Sequence, residues 1–578
     1  MFEKESQLML LRKWVFIVFW ILLVYHFYRY AWLAEDAFIN MRVVRNFNEG
    51  FGLTWNPGER VQVFTSTLWM FLSILSSWVT GEHIYSLLAI SMILVVATFW
   101  QLYRASGGGV ALFLAVAVSI LSSNSVRDYL SSGLETPLLM CLLAWFFGSL
   151  ARPAPPSFRK MCFMACLCML ARHDSILLTA PFLFYAAKSE YKKGRATSLV
   201  EMVSHVLVGF APIAAWTVFS VFYYGSPVPN TASAKIVSGL GAAGQALDYF
   251  AFIQYFDPLA YVFMVSALVV LYAHKSVQFK PALWSVVLFV AYLFKVGADY
   301  MAGRFLVGPM VMLAFLLVGA LRPPYERHFV RHGRSDRVIR LHASVIMFFG
   351  FVMFVRLLTA ANAAQYHASR PAFVDGIVDE RQVYFRSTDL ETILSMGVDH
   401  SFRDNAETLR RHPDVKLAIA CNIGMAAYFA PHDVYFVDPL ALSDRFLAGL
   451  PPDKQSRIGH FLRPVPREYI LSLVEGDNMF TDPMVRAYFD DVRLVARGDL
   501  GDSHRWPAIW RLLSNVYAPT LAAMDVNSAG GSIGIAQSND VTPKSCHGAG
   551  ISLMVPDWSS GQMGVRPLHM YGLSQAKR

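Results

Sequence analysis

Residues 30–69 read YAWLAEDAFINMRVVRNFNEGFGLTWNPGERVQVFTSTLW and follow directly on the first long apolar run, Trp14 to Trp32. The stretch therefore leaves a membrane as a loop. Two acids, Glu35 and Asp36, stand within a few residues of the bilayer edge. Beyond them Ala37, Met41, Val44 and Phe47 recur at helical spacing, which predicts a short amphipathic helix along the membrane surface. Arg42, Arg45 and Glu49 fall on another face. Gly50 and Gly52 end that helix, and Asn56-Pro57-Gly58 forms a turn with Pro and Gly at its central positions. An acid pair after a membrane helix is most often a solvated loop start. Here arginines and the aromatics Trp55, Phe64 and Trp69 crowd the same loop.

The chain has 578 residues, 55% of them hydrophobic and 14% aromatic, with a mean hydropathy of +0.40. Repeated apolar runs of membrane-spanning length make it a polytopic α-helical membrane protein. The net charge of +9 comes largely from Lys and Arg in short loops between those runs, so topology accounts for it and no nucleic-acid partner is implied. Trp14 to Trp32 is long for a signal h-region and lacks a small-residue cleavage site, so it is expected to stay as a first span. Cys141, Cys162, Cys166 and Cys168 lie in apolar segments as packing residues. Cys421 and Cys546 can pair if the C-terminal part is exported.

Spans begin near Trp14, His83, Gly109, Pro137, Met161, Ser175, Leu199, Leu259, Pro281, Phe305 and Leu341, about eleven in all. The run Leu68–Val79 is too short to be another. Counting it as an interfacial helix puts the basic clusters on one side, at Lys13, Arg104, Arg159/Lys160, Lys192/Lys193, Lys275/Lys280 and Arg322 to Arg340. The N-terminus is then cytoplasmic. Residues 1–358 form a transmembrane domain with its catalytic first outer loop at 32–82, and residues 359–578 an extracytoplasmic C-terminal α/β domain. VKLAIACNIGM and VYFVDPL predict two buried strands separated by a short polar turn. The tail after about Ser528 is Gly/Ser-rich.

The outer loops carry the polar chemistry. The first brings Glu35, Asp36, Asn40, Arg42, Asn56 and Arg60; the second Arg127, Asp128 and, in SSGLETP, Glu135. A tight turn supplies Arg172, His173 and Asp174. YYGSPVPNTASAK supplies Tyr224, Asn230 and Lys235, and GADYMAGR supplies Asp299 and Arg304. Single cations at helix ends usually snorkel, but an acid and a base recur in almost every outer loop, where such groups are expensive unless functional. Acids with amides suit a hydroxyl-bearing sugar and general-base work; isolated cations suit a lipid phosphate.

In order, EDAFINMR, GFGLTWNPGERV, SGLETP, YYGSPVPNTASAK, GADYMAGR, VDPLALSD and RIGHFLRPVP resemble the polyprenyl-phosphate-dependent arabinofuranosyltransferases of the GT-C superfamily, which act on terminal cell-wall arabinan, pilin or other envelope glycoconjugates. The likeness runs to about Pro466. Two departures stand out: Glu35 replaces the first of the family's two loop aspartates, and His173 stands in its Arg-Pro-acid turn.

The resemblance implies transfer of an arabinofuranosyl unit from a polyprenyl-phosphate donor, such as decaprenyl-phosphoryl-arabinose, to a glycan or glycoprotein acceptor outside the bacterial cytoplasmic (inner) membrane. Asp36 would be the base and Glu35 would orient it or the sugar. Arg304, Lys235 and Arg172 would neutralise the donor phosphate. Asn40, Asn56, Glu135, Asn230, Asp299, Tyr224 and Asp174 would line sugar or acceptor. No cofactor is implied; a divalent cation is left open where outer-loop carboxylates converge. Alternatives are a transferase for another lipid-linked sugar such as mannose or an aminopentose, a lipid-linked saccharide transporter, and a non-enzymatic assembly subunit. A transporter would need ionisable groups along its spans, and an assembly subunit would not need the acid pair.

Overall fold

A computed structural model of the chain describes residues 2–151, 156–192, 199–235, 240–331, 372–452, 456, 459–523, 554–557 and 564–567. Among these, three helices are long and apolar enough to cross a membrane: Ile84–Ala105, Phe279–Val296 and Arg304–Arg322. The number rises to six if each of three bent helix pairs counts as one span. The span expected from Leu341 lies outside the described residues, as does Cys546. Cys421 is disulfide-bonded, and the four cysteines of the apolar segments are free thiols.

The chain divides into two compact units. The first comprises Met1–Ala34, Ile84–Ile213 and Ser238–Gly397; the second comprises Glu35–His83, Ala214–Val237 and Val398–Arg578. The segment Glu35–His83 thus belongs to the same unit as most of the C-terminal part.

In the first unit, helix Thr136–Leu150 packs between Ile84–Ala105 and Val307–Arg331, and Phe279–Val296 packs on Ile176–Lys192. Small residues set the separations, as expected where lipid supplies no hydrophobic drive. A Cβ on Gly148 would sit 3.1 Å from the Phe315 ring, and one on Gly209 would overlap Cys162. The chain leaving the first helix is held by hydrogen bonds: Trp32 Nε1 donates to Asp128 O at 2.7 Å, Ala34 N to Ser132 O at 2.9 Å, and Thr388 Oγ1 to Leu33 O at 2.7 Å. GADYMAGR pairs with the strand Ile377–Val378 through Val378 N to Tyr300 O at 2.7 Å and Ala302 N to Val378 O at 2.9 Å.

In the second unit a short sheet has the order Tyr435–Val437, Leu417–Ile419, Met554–Asp557, Gly564–Pro567. The two expected buried strands are present at 417–419 and 435–437 but run parallel, with Leu417 opposite Tyr435. A short turn cannot join parallel strands, which need a crossover. Helix Gly424–Phe429 provides it. The loop helix covers Glu35–Asn48 and packs on that crossover helix. The face that carries its arginines is covered. Arg42 is fully buried, donating to Trp55 O at 2.8 Å and to Ala427 O. Its guanidinium lies 4.6 Å from the Trp55 ring centroid and 5.0 Å from that of Phe436.

The interfacial run forms helix Thr67–Thr80, capped by the Ser66 side chain at its start and by Gly81 at φ 71° at its end. Its 14 residues reach about 21 Å, short of a ~30 Å hydrocarbon core.

Asn56 joins the first loop to the sheet edge. Its Nδ2 donates to Phe436 O at 2.9 Å and its Oδ1 accepts from Phe436 N at 3.2 Å, so one side chain imitates a neighbouring strand. Asn56→Ala leaves both buried backbone groups unmet and should cost about 1–3 kcal/mol. Thermal unfolding in detergent should show a clear drop for Asn56→Ala and a much smaller one for Asn478→Ala, whose amide bonds lie at an exposed site. Equal shifts would mean that Asn56 does not hold the loop.

Candidate active site

The residues expected to form the site divide between the two units. Glu35, Asp36, Asn40, Asn56, Tyr224, Asn230 and Lys235 belong to the second; Glu135, Arg172, Asp174, Asp299 and Arg304 belong to the first.

The acid pair opens the loop helix, and its two members differ. Glu35 is buried and accepts hydrogen bonds from Gly424 N at 2.5 Å and Met425 N at 3.1 Å. It therefore satisfies the exposed N–H groups at the start of the crossover helix. Burial pushes its carboxyl up to about 8, with the neighbouring Asp36 charge adding to the rise; the two N–H groups oppose it and Asp438 adds a little. Asp36 is half-buried, and Asn40, four residues on, shares its partly exposed face. Arg45 donates to Tyr428 O and, at 3.3 Å, to Ala430 O. Glu35 at one end and Arg42 and Arg45 at the other thus clasp the crossover helix.

Tyr224 and Asn230 have structural partners. Tyr224 Oη donates to Leu53 O at 3.0 Å, and Asn230 Nδ2 reaches Ala441 O at 2.8 Å and Leu442 O at 3.1 Å. Lys235 closes the short helix Asn230–Lys235. Within VDPLALSD two further acids, Asp438 and Asp444, are buried. Asp438 accepts from Leu440 N and Ser443 N, both at 2.9 Å, and burial raises it to about 6. Asp444 caps the helix Arg445–Ala448; burial and then Glu59 raise it to about 7.

In the first unit four predicted residues meet as one ionic cluster. Arg304 NH2 lies 2.9 and 3.1 Å from the two oxygens of Glu135. Arg172 NH1 lies 3.5 Å from Glu135 Oε1, and Arg172 clamps Asp174 through Nε at 3.1 Å and NH2 at 2.6 Å. That fork holds the His173 turn, a single 3-10 turn at His173–Ser175. Burial resists ionisation of Glu135, but the Arg304 and Arg172 charges outweigh it and hold its carboxyl below the usual range. Two cations and two anions leave the cluster formally neutral.

Tyr129 is a residue the sequence did not single out. Its buried phenol is pushed up by burial first and then by the charges of Glu380 and Asp299. Arg127 and Arg381 stack on Tyr30 at 5.0 and 4.5 Å. Of these residues the sequence had marked Arg127; nothing in VRDYL or DERQ marked Tyr129 or Arg381. Among the described residues no group of three or more His, Cys, Asp or Glu is arranged to hold a metal.

Three apolar helices of spanning length among the described residues, or up to six with the bent pairs, fit a polytopic membrane protein. The chain is 28% identical over 412 residues to the terminal beta-(1->2)-arabinofuranosyltransferase of Mycobacterium tuberculosis (strain ATCC 25618 / H37Rv), covering 62% of this chain and 63% of that one. It is 26% identical over 398 residues to the terminal beta-(1->2)-arabinofuranosyltransferase of Corynebacterium glutamicum (strain ATCC 13032), covering 62% and 56%. The chain therefore spans less than two thirds of the length of either relative. The crystal structure of ArnT from Cupriavidus metallidurans bound to undecaprenyl phosphate aligns with a TM-score of 0.43 and 14% identity, over 73% of this chain and 85% of that one. No protein-family model matches. The resemblance carried by the loop motifs is thus matched by two curated arabinofuranosyltransferases.

The elevated Glu35 carboxyl has a consequence for stability. Its folded value of about 8 lies above the ordinary value of 4.5. Between those values the folded chain keeps a proton that the unfolded chain has lost, so stability falls as pH rises through the window. Glu35→Gln retains an acceptor for Gly424 and Met425 without the charge. Its melting temperature should fall less than the wild type's between pH 5 and 8.5, with Asp438 and Asp444 supplying the remaining slope. Identical slopes would show that Glu35 does not carry that proton.

Proposed function

We propose that the protein is a GT-C glycosyltransferase that moves an arabinofuranosyl unit from a polyprenyl-phosphate donor to an envelope glycan or glycoprotein. The similarity of 412 residues to a curated terminal arabinofuranosyltransferase carries this reading. The outer-loop motifs support it, because nucleotide sugars are cytoplasmic and a site outside the membrane needs a lipid-carried sugar. The proposed architecture is about eleven spans in the bacterial inner membrane, with the acid loop and an α/β C-terminal domain outside.

In the proposed step Asp36 takes the proton of an acceptor hydroxyl. That oxygen forms the new glycosidic bond to the anomeric carbon, and the bond from that carbon to the phosphate oxygen breaks. Polyprenyl phosphate departs with the electron pair. Arg304 and Arg172, with Lys235, would balance the charge that develops on it. A guanidinium offers five N–H donors, more than one carboxylate can accept, so phosphate can join Glu135 at Arg304. Asn40 would face the sugar beside Asp36. Asp299, Asp174, Asn56, Asn230 and Tyr224 would shape the acceptor side, the last three through the backbone segments they hold.

Purified protein incubated with radiolabelled polyprenyl-phosphoryl-arabinose and arabinan or glycoprotein acceptors should yield arabinosylated product. Asp36→Asn should lower turnover roughly 10²–10⁴-fold, the usual loss of a general base. Glu35→Gln should be far milder. Arg304→Ala should weaken donor use strongly, and Arg493→Ala, an exposed control, should not. Activity in Asp36→Asn at wild-type level would remove the base, and product from a different lipid-linked sugar alone would change the donor.

Orientation has its own measurement. Reporter fusions at Lys192 and Arg334 should read cytoplasmic, and a fusion after Asp375 should read external. A cytoplasmic reading after Asp375 would place the C-terminal part, and with it the donor chemistry, on the wrong side.

A further inference from the structure

Helix Arg505–Leu513, RWPAIWRLL, lies beyond the stretch that resembles the transferase family. One of its faces is spent on packing. Ala508 and Ile509 are buried with Val495, and Leu494 and Leu512 close around them. The adjoining face is equally apolar but uncovered: Trp506 is 50% exposed, Trp510 72% and Leu513 42%. These residues follow one another at steps of four and three, so they form one stripe. Scattered apolar residues at a surface need no explanation, but two adjacent exposed tryptophans on a nine-residue helix do.

The stripe continues onto a second element. Arg505 reaches past the end of helix Ala211–Tyr224, donating to Phe222 O and, at 2.8 Å, to Tyr223 O. The Phe222 and Trp506 rings stand 6.4 Å apart. Val218, one turn before Phe222, is 71% exposed. Helix Ala211–Tyr224 has the apolar composition of a bilayer segment and belongs to one of the helix pairs of spanning length. Val218 and Phe222 are the exposed apolar residues on it nearest to Trp506. On the other side Arg511 is anchored to Asp491 at 2.6 and 2.8 Å, which fixes the rotation of the helix about its axis.

We propose that Arg505–Leu513 is a membrane-interface anchor, with Trp506 and Trp510 seated at the headgroup–acyl boundary of the phospholipid bilayer. Tryptophan is the residue type enriched at that depth, since its ring is apolar and its N–H needs a polar partner. A helix lying in the interface binds through its buried apolar area. The anchor would tie the tail of the second unit to the membrane at the end of Ala211–Tyr224, whatever reaction the protein performs.

The test uses the full chain reconstituted in phosphatidylcholine–phosphatidylglycerol vesicles. A nitroxide at Trp510→Cys is compared with one at Glu407→Cys, on the exposed face of helix Ser401–Arg411. The ratio of collisions with oxygen to collisions with a nickel chelate should be several-fold higher at 510. Equal ratios would place Trp510 in water and overturn the proposal. Shielding from both reagents would mean a protein partner or second copy and would overturn it too. Should the Trp510→Cys protein fail to fold, quenching by dibrominated phosphatidylcholine serves instead. The Trp506→Phe/Trp510→Phe protein should lose part of the lipid quenching that the wild type shows, and an unchanged quenched fraction would reject the anchor.

Discussion

A six-residue helix held at both ends governs the second unit. Gly424–Phe429 is too short to be stable alone, since helix nucleation is costly and isolated short helices barely form in water. The carboxyl of Glu35 takes the N–H groups at its start, and Arg42 and Arg45 take carbonyls at and just beyond its end. The positive charges of the two arginines meet the negative end of the peptide dipoles. The two helices consequently run in the same direction, and the parallel strands on either side of the short one are fixed in register. Gly424 lacks a side chain because a Cβ there would overlap the Glu35 backbone oxygen. Space, not backbone angle, demands glycine at that point.

Much of this was legible in the sequence as inventory and little of it as pairing. The loop helix, its boundaries near Glu35 and Gly50, the short apolar helix at 67–80 and the strands at 417–419 and 435–437 all follow from local periodicity. The burial of Arg42 was not legible, because periodicity reports which residues share a face, not what will cover it. Its partner Ala427 lies 385 positions away. The crossover was missed for the opposite reason: GMAAYF is too short to show a helical period, so a turn was the simpler reading.

The ionic cluster follows the same pattern. Glu135, Arg172, Asp174 and Arg304 each stood out as charges in apolar surroundings, yet only Arg172 and Asp174 are neighbours in sequence. The clamp of Arg304 on Glu135 joins residues 169 positions apart. What the sequence did contain was the stoichiometry. Two acids and two bases in three loops of a membrane domain are affordable together, and one unpaired member would not be.

Adjacent residues with the same functional group can still be given unlike work, and the acid pair is the example. Successive side chains on a helix diverge by about 100°, so burying one of Glu35 and Asp36 leaves the other near the rim. Glu35 took the interior. There its two N–H partners and its raised proton affinity make it a holding group, poor at accepting another proton below about pH 8. The longer side chain suits that post, because it must reach across to a neighbouring helix end. Asp36, one atom shorter and half-exposed, keeps the face it shares with Asn40. Of the two acids the buried glutamate is then the holding residue, and the one that faces outward is the aspartate.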